Sequence, residues 1–379
     1  MIWRCDLEPQ HRYFAAAVQD AINRVLPTGR YILASEVAAF EKEFAGYCGC
    51  RFAVGTANAT DALTLSLVAL GVGAGDEVIS TPYTAIPTVS AIVDSGATPV
   101  FVDIRPDTFL MDLDQVAAAI TPRTKAIMPV HIFGNVVDID ELRRVCGEIP
   151  IIEDASQAHG ATLRGSKAGA FGDMGVFSFY PTKNLGAYGD GGIVVTDNPV
   201  HAERLRKLRM YGMVDKDHIE FHGVNSRLDE LQAAILRVKL PVLDDMNRRR
   251  RDIAARYENE LHAGSFTFQA IPSEVVSNHH VFVARYHGNR EALIAHLDSL
   301  GIQTNIYYPV PLHLQEATRN LGYQPGDYPV AEQLCEEALA LTMYPELEPS
   351  VLDMVVGAIN AYEASMCQVS SNLSLPTSP

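Results

Sequence analysis

The sequence predicts an α/β fold, with a mostly parallel central sheet covered by helices and a smaller C-terminal α+β unit. Three observations carry this. Short apolar runs alternate with stretches of helical period through the first part of the chain. Two of those runs lead straight into polar, chemistry-bearing segments, IPIIEDASQAHG at Asp154 and GVFSFYPTKNLGAYGDGG at Lys183. Pro241 then interrupts a long helical stretch, and mixed helix and strand patterns follow it. The domain boundary is placed there. Residues 1–240 form the large domain and 241–366 the small one; 367–379, rich in Ser and Pro, is expected to be a disordered tail.

Taken in order, His11 to Val25 has helical period and stops at Pro27-Thr-Gly29. Ser35 to Tyr47 is a second helix, with Ser35 as N-cap and Ala38, Ala39, Phe40 and Phe44 as its apolar stripe. Phe52 to Gly55 is a strand, followed by a helix opening near Asn58. Its free first-turn amides suit either a phosphate or plain capping by Asn58 or Thr60. Strands at Glu77–Ser80, Thr98–Val102 and Ala126–Val130 alternate with helices at Pro87–Ser95, Leu113–Ile120 and Ile139–Cys146. Strands Val176–Tyr180 and Ile193–Thr196 flank the glycine-rich turn, and a helix covers Val200–Met210. Ser226 through Tyr257 reads as helix broken at Pro241. Beyond it lie strands at Phe266–Ala270, Val281–Tyr286 and Gln303–Tyr307, and helices at Arg290–Leu300, Val330–Ala340 and Ser350–Ala364.

Composition removes several function classes. A formal net charge of −16 over 379 residues argues against a general nucleic-acid surface. The basic block Arg248–Arg251 reads as a solvated or ion-paired helix face. Asp6 and Glu8 stand where a signal peptide would be apolar, and no run reaches the ~18 apolar residues of a membrane span, so a cytoplasmic location is expected. Cys5, Cys48, Cys50, Cys146, Cys335 and Cys367 lack zinc-type spacing and read as buried reduced thiols. His279-His280 has no Cys or carboxylate neighbours in sequence, so no metal site is expected.

Lys183 lies between two apolar strands. It is either a solvated loop residue or, desolvated among Pro181 and the glycines, an amine able to act as a nucleophile. Asp154 and Gln157 fall beyond the carboxyl end of a parallel strand, where open α/β sheets bind ligands. A reactive lysine with an acidic partner is the pattern of pyridoxal phosphate sites.

Four stretches then occur in one order: Gly-Thr-Ala-Asn-Ala-Thr-Asp-Ala-Leu (Gly55 to Leu63), Glu-Asp-Ala-Ser-Gln-Ala-His-Gly (Glu153 to Gly160), the lysine segment, and Asn-Ser-Arg-Leu-Asp-Glu-Leu-Gln-Ala-Ala (Asn225 to Ala234). Together, over roughly residues 10 to 366, the chain resembles the DegT/DnrJ/StrS family of sugar aminotransferases. The resemblance implies a fold-type-I pyridoxal 5'-phosphate enzyme, a homodimer with shared active sites, cycling through pyridoxamine phosphate. It makes Lys183 the catalytic, Schiff-base lysine and Asp154 the partner of the ring nitrogen. Gln157 would face the ring hydroxyl. Thr56, Ala57 and Ser178 would bind the phosphate. Tyr83 would stack on the ring, where core packing is the other reading, and Asn225 would reach the partner subunit's phosphate.

On the substrate side the resemblance points to the loop with Tyr31 and to Tyr308-Pro-Val-Pro-Leu-His-Leu-Gln, hence to Tyr308 and His313. Tyr307 stands where the family usually has His, so sugar contacts are not carried over to it. His131 ends a strand and reads as a supporting hydrogen-bond partner. The lysine segment most resembles members that act on C3 keto groups of nucleotide-linked 6-deoxy sugars, with L-glutamate as amino donor. The alternatives are a 4-keto sugar or cyclitol substrate, or a non-enzymatic regulator of the same fold. A pyridoxamine-dependent dehydratase is disfavoured because those relatives replace the lysine with His.

Overall fold

The computed structural model describes residues 1–262 and 264–373. Helix α1 (Glu8–Val25) takes Pro9 in its first turn and buries Phe14, Val18, Ala21 and Val25 along one stripe. Helix α2 (Ser35–Cys48) buries Val37, Phe40, Phe44 and Cys48. Ser35 does not cap it. The N–H groups of Ala34, Glu36 and Val37 donate instead to the buried carboxylate of Glu230, at 2.8, 2.8 and 2.9 Å. A distant side chain does the work expected of a local hydroxyl, and its negative charge sits at the positive end of the helix.

The alternation follows as β1 (Phe52–Thr56), α3 (Ala59–Ala69), β2 (Glu77–Ser80), α4 (Ile86–Asp94), β3 (Thr98–Phe101), α5 (Leu113–Ala119), β4 (Thr124–Ile127), α6 (Ile139–Cys146) and β5 (Ile152–Asp154). Two short strands, β6 (Thr162–Leu163) and β7 (Ser166–Lys167), precede β8 (Met174–Ser178) and β9 (Gly192–Thr196). Hydrogen bonds order the strands β1-β9-β8-β5 and β3-β2-β4. Parallel bridges Ile127–Ile151 and Val130–Asp154 join the two sets into one sheet. Its paired strands are parallel except for β9, which runs antiparallel to both β1 and β8.

The period of two along β8 and β9 sorts the core. Val176 and Val194 pack with Leu63 of α3 on one face, while Phe177, Ile193 and Val195 pack with Phe40 and Phe44 of α2 on the other. Both faces are therefore covered, and the strands are buried throughout. β8 ends earlier than the sequence suggests. From Phe179 the chain bends, its N–H bonding Gly191 O and its carbonyl taking Ala187 N–H, each at 2.8 Å.

Helix α7 (Pro199–Leu208) leads to α8 (Glu230–Lys239) and α9 (Leu243–Glu260), and Pro241 occupies a single 3-10 turn between the last two. The rest comprises β10 (Phe266–Phe268), β11 (Val275–Val276), β12 (Phe282–Tyr286), α10 (Arg290–Ser299), α11 (Pro329–Glu337), β13 (Ala338–Leu341) and α12 (Pro349–Leu373). The antiparallel sheet β10-β12-β13 packs Phe282 and Leu339 against Tyr257, Leu297 and Ile359.

Two readings are corrected here. Residues 303–307 form no strand, and Ala338–Ala340, read as the end of a helix, are strand. Asn305 and Ala340 instead exchange N–H···O bonds of 3.1 and 2.8 Å, and sheet pairing overrides alanine's helical preference. Helix α12 enters the segment expected to be a disordered tail, of which 374–379 lie outside the described residues. In the basic block, Arg248 and Arg249 do pair with Asp245, but Arg250 is buried and donates to the carbonyls of His280 and Met343. Cys48, Cys146 and Cys335 are buried free thiols, whereas Cys5 and Cys50 are half-buried; the Cys367 side chain lies outside the described residues. Among the described residues no helix is long and apolar enough to cross a membrane.

The Glu230 contact gives a stability test. Glu230→Gln removes the charge and turns one acceptor oxygen into a donor facing N–H groups. Urea unfolding should show a loss of about 2 kcal/mol; a loss below about 0.5 kcal/mol would mean that this carboxylate does not hold the start of α2.

Candidate active site

The site is built at the carboxyl ends of β5 and β8, which pair in parallel with Asp154 opposite Val176. Asp154 ends its strand 5% exposed. Its Oδ2 accepts from Thr88 Oγ1 at 2.7 Å and its Oδ1 from Ser156 N–H at 3.2 Å. Beyond β8, Lys183 N–H bonds Tyr180 O at 2.8 Å, and a Cβ on Gly186 would stand 2.2 Å from Pro181 O, so this loop closes only with glycine.

Lys183 is half-buried, and its ammonium has no hydrogen-bond partner among the described residues. Loss of solvent pulls its pKa down to about 8, while the charge of Asp154 opposes that shift. The two groups the sequence singled out are thus within electrostatic reach of each other.

Gln157 accepts from Phe133 N–H at 2.9 Å and donates to the Tyr308 hydroxyl at 3.2 Å. The Tyr308 ring meets Tyr83 edge-on at 5.8 Å and stacks with Phe133 at 6.5 Å. Tyr83 is fully buried and donates its hydroxyl to the Tyr307 carbonyl, so here it packs within the core.

A second cluster gathers where β1, β9 and β8 lie side by side. Thr56 is opposite Gly192, and Gly192 is opposite Ser178. A Cβ on Gly192 would lie 2.4 Å from the Asn58 carbonyl, so the turn into α3 can approach only a glycine. Asn58 does cap α3, accepting from Asp61 N–H at 2.8 Å. Thr56 Oγ1 donates to Asn58 O at 2.9 Å. The Ala57 N–H donates to Ser226 Oγ at 3.1 Å, which in turn donates to Asp61 Oδ2 at 2.6 Å. The N–H groups of Ala59 and Thr60 take no partner among the described residues. The turn is thus capped by Asn58 and still leaves two amides free for an anion to accept from.

The remaining residues are scattered more widely. Asn225 is exposed, and its side chain makes no hydrogen bond among the described residues. It does not open a helix, since α8 starts only at Glu230 and Asn225 bridges Met210 in extended conformation. It lines one shallow opening with Ala57 and Ile32. Tyr31, on the same loop as Ile32, is exposed and donates to Leu26 O at 3.1 Å. His313 is buried, its Nε2 3.1 Å from Glu332 Oε1 and its ring edge-on to Tyr328, and it touches none of Lys183, Asp154 or Gln157. His131 supports the site from behind. Its Nε2 meets Glu153 at 2.8 Å, its Nδ1 accepts from Val137, and its N–H bonds the Asp154 carbonyl.

Several contributors gave no signal of their own in sequence. Thr88 and Ser226 act across long sequence separations. His159 lies within a quoted motif; it is buried with both ring nitrogens unpartnered, and burial, then Lys183, hold its pKa down to about 3. Asn184, beside the lysine, bonds Asn247, the Asn278 carbonyl and His280, at 2.7, 3.1 and 3.0 Å. As a test of fit, the glycine-lined turn with two free amides, the hydroxyls of Thr56 and Ser178, the aimed carboxylate and the unpartnered amine suit a phosphorylated pyridine aldehyde.

Comparison with known proteins shows the family and the fold. The sequence matches the DegT/DnrJ/EryC1/StrS aminotransferase family over residues 13–360. It is 44% identical over 367 residues to the dTDP-3-amino-3,4,6-trideoxy-alpha-D-glucose transaminase of Micromonospora megalomicea subsp. nigra, covering 94% of this chain and 97% of that one. It is 45% identical over 359 residues to the erythromycin biosynthesis sensory transduction protein EryC1 of Saccharopolyspora erythraea, covering 94% and 98%. The crystal structure of S. venezuelae DesV in complex with a ketimine intermediate superposes with a TM-score of 0.92, at 43% identity over 95% of this chain and 98% of that one.

The depressed pKa of Lys183 has a thermodynamic consequence. Its folded value of about 8 lies below the ordinary 10.5, so below pH 8 the fold bears the full cost of a desolvated ammonium. Stability recovers as pH rises from about 8 to 10.5, where the unfolded chain still binds the proton. Cofactor-free Lys183→Met should therefore be more stable than wild type at pH 7, by on the order of 2 kcal/mol. Denaturation measured across this window should show the advantage shrinking; an advantage independent of pH would mean that Lys183 is not desolvated.

Proposed function

The chain belongs to the DegT/DnrJ/EryC1/StrS aminotransferase family, and from that premise we propose that it moves an amino group from L-glutamate to the C3 keto group of a nucleotide-linked 6-deoxy sugar. The protein is a pyridoxal 5'-phosphate-dependent transaminase. The single observation that carries the reading of its site is the convergence of Lys183 and Asp154 beside a glycine-lined anion turn. The names of the transaminase relatives supply the keto position. The cytoplasm is the proposed location.

When bound, pyridoxal phosphate supplies an electron sink for the pair left when a C–H bond beside nitrogen is broken. The protein does the rest. Asp154 would face the ring nitrogen and keep its proton in place. Thr56, Ser178 and the amides that open α3 would bind the phosphate and so fix the ring's position. Gln157, held by the Phe133 N–H and the Tyr308 hydroxyl, would face the ring hydroxyl, and Tyr83 and Tyr308 would wall that side against water. Lys183 would hold the cofactor through its side-chain amine and, once freed by the amino donor, would serve as the group that takes and returns a proton. An amine with a pKa of about 8 can both take and return that proton. Tyr31 and His313 are proposed to serve the nucleotide-sugar side, His313 through the loop it anchors.

The regulatory reading draws on the name of EryC1. The assembled lysine, carboxylate and anion turn weigh against it, since a regulator needs none of them together. The decisive assay offers L-glutamate with a panel of 3-keto and 4-keto nucleotide sugars and a keto cyclitol. Transfer to the 3-keto sugars is expected, and Asp154→Asn should slow it by ~100-fold or more. Transfer only to a 4-keto or cyclitol substrate would overturn the keto position, and no transfer at all the enzymatic reading.

The homodimer with shared sites is proposed on the exposed, unpartnered Asn225 side chain, which is free to reach the partner subunit's phosphate. Lys183→Ala and Asn225→Ala, each severely impaired alone, should regain activity when unfolded and refolded together. Mixed dimers would hold one intact site, restoring up to about a quarter of wild type if chains pair at random. Verified subunit exchange without recovery would place the action of Asn225 within its own chain.

A further inference from the structure

Asp154 does not stand alone at the end of β5. Its Oδ2 accepts the Thr88 hydroxyl at 2.7 Å, and Thr88 Oγ1 lies 3.1 Å from Thr84 Oγ1. Both threonines are 1% exposed, so water cannot substitute for these bonds. An ionised carboxylate only accepts, so Thr88 spends its one proton on Asp154. The second contact must then run from the Thr84 hydroxyl to Thr88. The result is a directed chain, Thr84 to Thr88 to Asp154, whose bonds polarise one another in the same sense. Ser156 N–H takes the other carboxylate oxygen. With one bond on each oxygen, the plane of the carboxylate is fixed.

We propose that Thr88, supplied by Thr84, is a positioning residue that fixes Asp154 against the cofactor's ring nitrogen and keeps the shared proton on the ring. The inference rests on the assignment of Asp154 as ring partner and goes beyond it. A carboxylate that already accepts a hydroxyl competes less strongly for a second proton. Without Thr88 the carboxylate swings more freely and draws the ring proton toward itself. The ring then carries less positive charge, and the nitrogen that joins the cofactor to Lys183 holds its own proton to higher pH. Lys183 and Tyr308 are titratable groups that feel the charge of Asp154, and His131 and Glu153 flank its strand.

The test compares holoenzymes of wild type, Thr88→Val, Thr88→Ser, Thr84→Val and Asp154→Asn. It reads the pH midpoint of the bound cofactor's visible absorbance and the rate of cofactor release. Thr88→Val, equal in shape, should raise the midpoint by about one pH unit and speed release about 10-fold. Thr88→Ser should restore both, and Thr84→Val should move the midpoint the same way by less. A wild-type midpoint in Thr88→Val, with Asp154→Asn displaced, overturns the role of Thr88 and leaves the ring-partner assignment standing. If neither variant moves the midpoint, Asp154 does not face the ring and both fall. Equal shifts in Thr88→Val and Thr88→Ser would assign the effect to packing and overturn the proposal. Should Thr88→Val fail to load, Thr84→Val decides, an unmoved midpoint overturning it.

Discussion

Parallel pairing of β5 with β8 is the constraint on which the rest of the site depends. Parallel neighbours end on the same side of the sheet, so Asp154 and the loop with Lys183 emerge together without any side-chain contact to enforce it. The antiparallel β9 then does what another parallel strand could not. It starts at that same edge, placing Gly192 between Thr56 and Ser178 and leading back from the lysine loop to the anion turn. Charge, hydroxyls and free amides are thus collected by backbone pairing alone.

Tight backbone approach is the second requirement. A Cβ on Gly175 would lie 2.1 Å from Gly169 O, and one on Gly192 would strike the Asn58 carbonyl. Glycine here brings segments together rather than loosening them. Behind them, the buried Glu153 carboxylate accepts from His131 and from the N–H groups of Gly169, Phe171 and Gly172. The satisfied charge fastens the segment before β8 to the strand that carries Asp154.

Much of this is legible in the sequence because it is local. The strand-to-loop transitions at Asp154 and Lys183, the cap at Asn58 and the break at Pro241 are each written within a few residues, and the resemblance extended them to the cofactor. What escaped depends on distant partners. Glu230 holds the start of α2 in place of Ser35, and Ala338–Ala340 join a sheet against their helical propensity because Asn305 and β12 lie alongside. Asn225 directly precedes the stretch read as helix from Ser226, yet its backbone pairs with Met210 across a loop and the helix opens only at Glu230. Thr88 has no local signature, since its partner Asp154 is brought to it only when α4 settles on β2 and β3.

The asparagine network beside the lysine has a mechanical reading. Asn184 is joined to Asn247 of α9 and to the segment at Asn278 and His280 that enters β12, while Asn247 and Asn278 both hold the His159 carbonyl. These bonds act as a gear train between the C-terminal sheet and the residue next to the amine. The residue next to the amine is thereby strapped to α9 and to the approach to β12, so the position of the lysine loop is set from the C-terminal sheet as well as from β8.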